Sequence, residues 1–479
     1  MKEKTIYFAK NVENWDEITD VVVIGSGFAG LTAAIEAHNS GASVIILEKM
    51  MAAGGNSIIS DGGIAAAGTK LQKIYKIKDS PELMYKDMLK AGLGINNPEL
   101  VKVLVNNAND AFQWSIDYLG VEYLDRIDIF GGHSVPRCYT AKNITGTTII
   151  KKQMQKIGEL GMEVRFKSYL KGLIQASDGK IVGVVVRENY DYKDSQKGND
   201  RYIKAEKGVI LASGGFGSDV NFRVAQDPRL TEKIGTTNKP FATSEVIKQS
   251  IKAGAMPVQL SQIQLGPWAS PDEKGYGVGP QFSEYIVFQY GIIVDPDTGE
   301  RFVNELADRK VLSDQLLSIG HPCIGIADSR AVKESGWNID SGIKKKVVRK
   351  FETLKDLANF YKIPQKDLEK TLNNFNGNFV DGIDKYFGKP LIENSKPIVN
   401  PPYYAMRLWP KVHFTMGGIR IDSRARVIDV DGNAIENLYA AGEVTGGVHG
   451  ASRLGSCSIT ECMVFGRIAG KNIANGLKY

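Results

Sequence analysis

Cysteine is scarce in this chain, with four in 479 residues. Cys138, Cys323, Cys457 and Cys462 form neither a CxxC nor a CxxCH motif. That excludes a zinc ribbon and haem attached covalently to these residues, and free buried thiols are expected. No metal-ligand set is assigned. Long apolar runs are lacking too, and none approaches the length of a membrane span. The first twenty residues are charged, without the apolar core of a signal peptide and without a twin arginine. A cytoplasmic location is expected, with export only if a leader has been removed. Charge of one sign is also missing: 60 Lys and Arg against 54 Asp and Glu leave a net +6, spread along the chain. The basic run Lys344-Lys345-Lys346 reads as a solvated face, so nucleic acid is not an expected partner. Internal repeats and low-complexity segments are absent. At this length, 43 % hydrophobic and 24 % charged residues suit a globular chain of two domains.

Glycine, by contrast, is plentiful at 51, and its placement is informative. Val21-Val22-Val23-Ile24 reads as a buried strand. It runs into Gly25-Ser26-Gly27-Phe28-Ala29-Gly30 and then into the helix-forming stretch from Leu31 to Ala37. In such a strand–turn–helix, Gly25 makes the turn tight, Gly27 lets backbone approach a pyrophosphate, and Gly30 lets helix pack on strand. The pyrophosphate then meets the positive helix N-terminus. A second strand, Ala42 to Leu47, ends at Glu48, where a carboxylate takes the ribose hydroxyls. Gly54-Gly55-Asn56-Ser57 and Asp61-Gly62-Gly63-Ile64 suit backbone passing along a flat cofactor. The strand from Gly208 to Leu211 enters Ser213-Gly214-Gly215, a second close approach.

Residues 1 to 18 read as a short arm. Helical spacing covers 80 to 120 and 146 to 158. Strands are expected at 164–166 and at 180–186, the second after the turn Ser177-Asp178-Gly179. From about Gln259 glycine turns thin out, and a strand-rich opening gives way to helices between 328 and 380. The fold class is therefore α/β, a Rossmann-like dinucleotide-binding domain over 19–258 and 415–479. An α+β domain, 259–414, is inserted into it, and a last helix runs from Ser458 to Asn475.

Several segments together resemble the flavoprotein family of fumarate reductases, succinate dehydrogenases and soluble flavocytochrome fumarate reductases. They are GSGFAG with Glu48, GGNS at 54–57, SGGFG at 213–217, RFVNE at 301–305, HFTMGG at 413–418 and AGEVTGGVHGASRLG at 441–455. The resemblance implies FAD held by the first domain, with the inserted domain as a cap over the substrate. Beyond the glycines above, it implies FAD contacts at Phe28, Ala29, Lys49, Gly442, Glu443, Ser458 and Ile459. Membrane-complex members attach FAD through a histidine in the segment that here reads Gly54-Gly55-Asn56-Ser57, so non-covalent FAD is implied.

In the family, flavin N5 gives a hydride to the β-carbon of an unsaturated acid while an arginine protonates the α-carbon. An arginine acid needs a relay and close packing, since its unperturbed pKa is far above neutrality. Arg309 stands at that place, and Glu284 matches the relay glutamate. The relay's usual next arginine is replaced by Val287. His413 and Arg453 match the carboxylate ligands, and Gln264, Ser283 and Ser456 complete the implied substrate contacts. Where fumarate-specific members carry a further histidine, this chain has Gly266. Its loss is expected to leave space and remove a donor. A monocarboxylate enoate is therefore expected, with room for a bulky or aromatic β-substituent near Trp268, Phe282, Tyr285 and Phe414.

The implied activity is FAD-dependent reduction of an α,β-unsaturated carboxylate. Its rivals are a ketosteroid or enone oxidoreductase on the same fold, fumarate reduction proper, and a flavin-binding subunit without turnover. A separate electron donor is expected: a haem protein, a reduced flavin or a quinol-linked partner. Gly275, Gly277 and Gly279 are expected to loosen the entrance loop of a closing cap.

Overall fold

In the computed structural model, which describes residues 6–391 and 395–476, the apolar run Val21–Ile24 ends strand β1 (Glu17–Ile24). All four side chains are buried, as a central parallel strand covered on both faces requires. Helix α1 (Phe28–Asn39) follows, then β2 (Val44–Leu47). β2 and β3 (Asn199–Leu211) flank β1, both parallel to it, with Val22 opposite Ile45 on one side and Val209 on the other. β4 (Ala434–Ala440) adds a parallel strand beside β3. The last helix, α2 (Cys457–Asn475), lies close on α1. A Cβ at Gly466 would come within 2.8 Å of the Ala29 carbonyl oxygen, so glycine sets that approach.

The chain divides into two compact units: 1–228, 239–263 and 414–479, and 229–238 with 264–413. The segment 229–238, assigned to the first domain by sequence, belongs to the second unit. Thr236 bridges to Val412, and the Asn238 amide donates to the His413 carbonyl at 3.1 Å. No periodicity announces this return.

Residues 6–18 are not an arm. Tyr7–Phe8 pairs in parallel with Ile174–Gln175, and Glu17 and Ile18 already pair with Ile203 and Lys204. The strand Tyr169–Gln175, which pairs antiparallel with Ile181–Glu188, has no clear signature in the sequence. Lys171 and Gly172 interrupt its apolar pattern, yet the glycine receives the ring of Tyr7. The helical stretch 80–120 is two helices, Pro81–Ala91 and Pro98–Asp117. Each has proline in its first turn after a capping Ser80 or Asn97, the usual start signal.

The second unit is built on a four-stranded antiparallel sheet in the order Ile292–Val294, Cys323–Asp328, Tyr403–Leu408, Arg349–Phe351. Its strand Cys323–Asp328 is buried throughout. Cys323 and Ala327 join an apolar cluster with Trp268, Phe282 and Leu312, while Ile324 and Ile326 join Leu357, Leu368 and Phe375. The period of two sorts side chains into cores on opposite faces. Among the described residues no helix is long and apolar enough to cross a membrane.

Candidate active site

The first unit's glycine turns border a concave cleft, the kind of place where cofactors bind. Its lining comes from the carboxyl ends of three parallel strands: Gly25, Gly27, Phe28 and Ala29 after β1, Glu48 and Lys49 after β2, and Gly214 and Gly215 after β3. Open α/β sheets bind ligands at that end. Gly54, Gly55, Asn56 and Ser57 line it as well. Gly25 is left-handed, with φ +106°, and any side chain there would strike the Ala212 backbone. Gly30 is spent on packing, since a Cβ would strike the Gly25 carbonyl.

The polar groups of the cleft are held in place by local bonds. Ser57 Oγ accepts from the Phe28 amide at 3.1 Å, at the start of α1. Glu48 accepts from Ser26 Oγ at 2.6 Å and from the Met50 amide at 2.9 Å. Lys49 Nζ donates to Thr243 Oγ1 at 2.9 Å, and Asn56 Oδ1 accepts from the Lys239 amide at 2.8 Å. Glycines that admit no Cβ, a helix N-terminus and a fixed carboxylate together suit a flavin dinucleotide.

Six expected FAD contacts, Gly30 among them, fall outside this lining. Gly62 and Gly63 lead instead into the strand Gly63–Ala65, which pairs with Cys138–Thr140, and a Cβ at Gly63 would sit 2.6 Å from Ser456 Oγ. Gly442, left-handed with φ +77°, lies where a Cβ would be 2.9 Å from that of Ala29. Ser458 and Ile459 occupy the first turn of α2. Sequence reasoning in turn missed Ser168, Tyr169, Leu170 and the stretch Phe241–Thr243, which also line the cleft. Neither carries a glycine or motif signal.

Glu443 lines the same cleft. Thr415 donates to it from its amide at 2.9 Å and its hydroxyl at 3.2 Å. Removal from bulk water nevertheless pushes its carboxyl up to about 7, against the pull of those bonds and of Arg453. Arg453 is 4 % exposed, with its guanidinium 4.8 Å over the Phe414 ring and Nη1 donating to the Leu454 carbonyl at 2.9 Å. His449, overlooked within its motif, shares a buried 3.0 Å bond with Glu461 and meets the same Phe414 ring edge-on. Ser456 takes a left-handed backbone, φ +64°, just before α2.

In the second unit, Arg309 is the first residue of the helix Arg309–Ile319, capped by Asp308. A cation at the positive end of a helix is held against the dipole. Two contacts offset this: Glu284 Oε1 accepts from Nη2 at 2.8 Å, and the guanidinium carbon lies 4.7 Å from the centre of the Trp268 ring, a cation–π arrangement. Glu284 stands in a single π-helical turn, Ser283–Val287, a feature frequent at functional sites. Val287 is fully buried in the apolar cluster. Upstream, Arg301 binds Glu305 and Asp384 at 2.8 and 3.0 Å, all nine-tenths or more buried. Lys389 reaches Glu305 at 3.4 Å, and burial pushes its amine down to about 8. This network fixes the turn that leads to Arg309.

His413 Nδ1 lies 2.8 Å from Thr237 Oγ1, and its ring stands edge-on to Trp268 with centroids 4.6 Å apart. Gln264 is buried. The expected space at Gly266 does not exist: the Trp268 ring fills it, and a Cβ would lie 2.6 Å from ring carbons. Ser283 donates its proton to the Trp268 carbonyl at 2.7 Å and to that of Gly279 at 3.1 Å, so backbone takes what a ligand was expected to receive. Phe282 is core, and Tyr285 stacks on Trp337 at 3.8 Å. The loop with Gly275, Gly277 and Gly279 is tied down rather than loose. Glu273 accepts from the amides of Val278 and Gly279 at 2.7 and 2.8 Å, and Lys411 Nζ donates to the Glu273 carbonyl at 2.6 Å. Lys344–Lys346 stand exposed.

With this geometry in hand, comparison with known proteins is informative. The FAD binding domain family matches residues 20–459. The chain is 42 % identical over 468 residues to the acrylate reductase flavoprotein subunit of Shewanella woodyi, spanning 96 % of this chain and 92 % of that protein. It is 34 % identical to the urocanate reductase of Eggerthella lenta, spanning 95 % and 74 %. The open conformation of a flavocytochrome c3 fumarate reductase matches with a TM-score of 0.78 at 32 % identity, over 96 % of this chain and 79 % of that one. The chain belongs to this FAD-binding family of flavoprotein oxidoreductases, and FAD is its cofactor.

Proposed function

We propose that this flavoprotein reduces the carbon–carbon double bond of α,β-unsaturated monocarboxylates. Bound FAD, once reduced, supplies the hydride that the β-carbon receives. Arg309 gives its proton to the α-carbon, and Glu284, bonded to it at 2.8 Å, is the group through which it regains one. The Trp268 ring holds the guanidinium plane. His413 and Arg453 bind the carboxylate, where the guanidinium fork suits two oxygens and stabilises developing charge. The observation that carries this reading is the Arg309–Glu284 pair stacked on Trp268. Gly266 adds that no side chain is present there for a second carboxylate. Two relatives named for acrylate and urocanate, each with one carboxylate, support the same class.

Among the described residues no histidine lines the FAD cleft, and burial pushes the Cys462 thiol there well up, keeping it protonated. FAD is accordingly held without a covalent bond. In this reading a separate donor, a haem protein or a reduced flavin, delivers the electrons.

The test is anaerobic mixing of chemically reduced holoenzyme with acrylate, crotonate and a 3-ketosteroid enone. Return of oxidised flavin absorbance with the enoates supports the reading. Return with the enone alone would make the chain a ketosteroid-type enzyme. No return with any acceptor would make it a flavin-binding subunit.

A further inference from the structure

The filled space beside position 266 bears on which acids can react. Trp268 is 1 % exposed, and its ring touches both candidate reactive groups of the second unit. The Arg309 guanidinium carbon lies 4.7 Å from the ring centre, and the His413 ring stands edge-on at 4.6 Å. The benzo edge presses on Gly266, where a Cβ would be 2.6 Å from two ring carbons. Only glycine is compatible with the indole in this place. Ser283 anchors the Trp268 backbone through its carbonyl, and the side chain shares an apolar cluster with Phe282 and Ile286. Its Nε1 has no hydrogen-bond partner among the described residues. A packed core normally avoids such an atom, and a site tolerates it where a ligand or water accepts the proton.

We propose that Trp268 is the specificity-determining residue of this enzyme. Its indole occupies the volume beside Arg309 and His413 that a large β-substituent or a second carboxylate needs, so the substrate is a short monocarboxylate enoate of three or four carbons. The proposal rests on the enoate reduction proposed above and narrows it. A glycine at 266 considered alone suggests room, and the ring that requires the glycine removes that room. Truncating the indole leaves a void, because surrounding structure collapses only in part, and the void lies directly against Arg309 and His413. Truncation also takes away the cation–π seat of Arg309, so turnover falls for every acid. The diagnostic quantity is therefore a ratio between acids.

The experiment uses holoenzyme of wild type, Trp268→Ala and Trp268→Phe. It measures kcat/KM for acrylate and cinnamate, and dissociation constants of the saturated acids propionate and 3-phenylpropionate from the perturbed flavin absorbance. Wild type is expected to favour acrylate by about 100-fold, in line with what pocket volume can discriminate. Trp268→Ala should shift that ratio towards cinnamate by about tenfold or more and tighten 3-phenylpropionate relative to propionate. Trp268→Phe should give a smaller shift of the same sign. If Trp268→Ala does not fold, the phenylalanine variant decides the ratio. An unchanged ratio, or a wild type equally fast on cinnamate, overturns the proposal. A wild type that reduces neither acid while the saturated-acid affinities still shift between variants sinks the enoate reading and keeps the size limit.

Discussion

The two units hold their important groups by different means. The first shapes its cleft with backbone: Gly25, Gly27, Gly214 and Gly215 bring main chain to the cavity, and the fixed side chains Glu48, Lys49 and Asn56 are bonded to neighbours on the same rim. The second holds Arg309 with side chains: a carboxylate at one nitrogen, an indole under the plane, and the buried Arg301–Glu305–Asp384–Lys389 network upstream. A cofactor that stays bound can be cradled by rigid backbone. The proton donor proposed for Arg309 needs a charged partner and a fixed orientation, and both come from tertiary packing.

That division makes separable predictions. Arg309→Ala should slow enoate-driven flavin reoxidation about 10³-fold, within the range of a positioned proton donor, and leave flavin content unchanged. Stopped-flow traces beside the absorbance ratio of flavin to protein check both halves. Equal loss of flavin and activity would break the comparison. Arg301→Ala strands Asp384 as a buried charge and leaves Glu305 with Lys389 alone, which should cost about 3–5 kcal/mol. Urea unfolding followed by tryptophan fluorescence reads that loss.

The difference also explains what could be read in advance. Strand β1, its glycine turn and Glu48 follow from local rules, and these features mark the cleft as Gly25 to Ala29 line it. Gly62 and Gly63 carry the same kind of signal, yet Gly63 enters a strand paired with Cys138–Thr140 and a Cβ at Gly62 would meet Ala141 and Thr145. Glycine reports close approach without saying to what. In the second unit, the resemblance pointed to Arg309 and Glu284, and the fold brings the two within 2.8 Å. The Trp268 ring in the space of position 266 was not, nor was Thr237 against His413. Both are contacts between segments that no local pattern links. The return of 229–238 to the second unit has the same character.

Smaller effects sharpen the first unit's side of the comparison. A Cβ at Gly215 would fall on Thr415 and Glu443, and overpacking of this kind costs about 1–3 kcal/mol. Gly215→Ala should therefore weaken FAD retention about tenfold by flavin titration of the stripped protein, with the unfolding signature of Arg301→Ala not reproduced. Glu443 titrates near 7 in the fold against 4.5 when unperturbed. Between those values the folded chain binds a proton that the unfolded chain has lost. The resulting stability is full below 4.5 and is lost as pH rises through 7. Thermal melts of flavin-free protein across that window should show the fall, and Glu443→Gln should flatten it.

The central claim is that a reduced flavin in this protein passes its electrons to an acid with one carboxylate. The most direct measurement is a pair of single-turnover reoxidation rates, acrylate against fumarate, on unaltered reduced holoenzyme under argon. The account predicts rapid reoxidation by acrylate and fumarate slower by about 100-fold or more, the scale on which a misfitted group is rejected. Fumarate as fast as acrylate would contradict it, and would mean that a second carboxylate finds a donor despite glycine at 266.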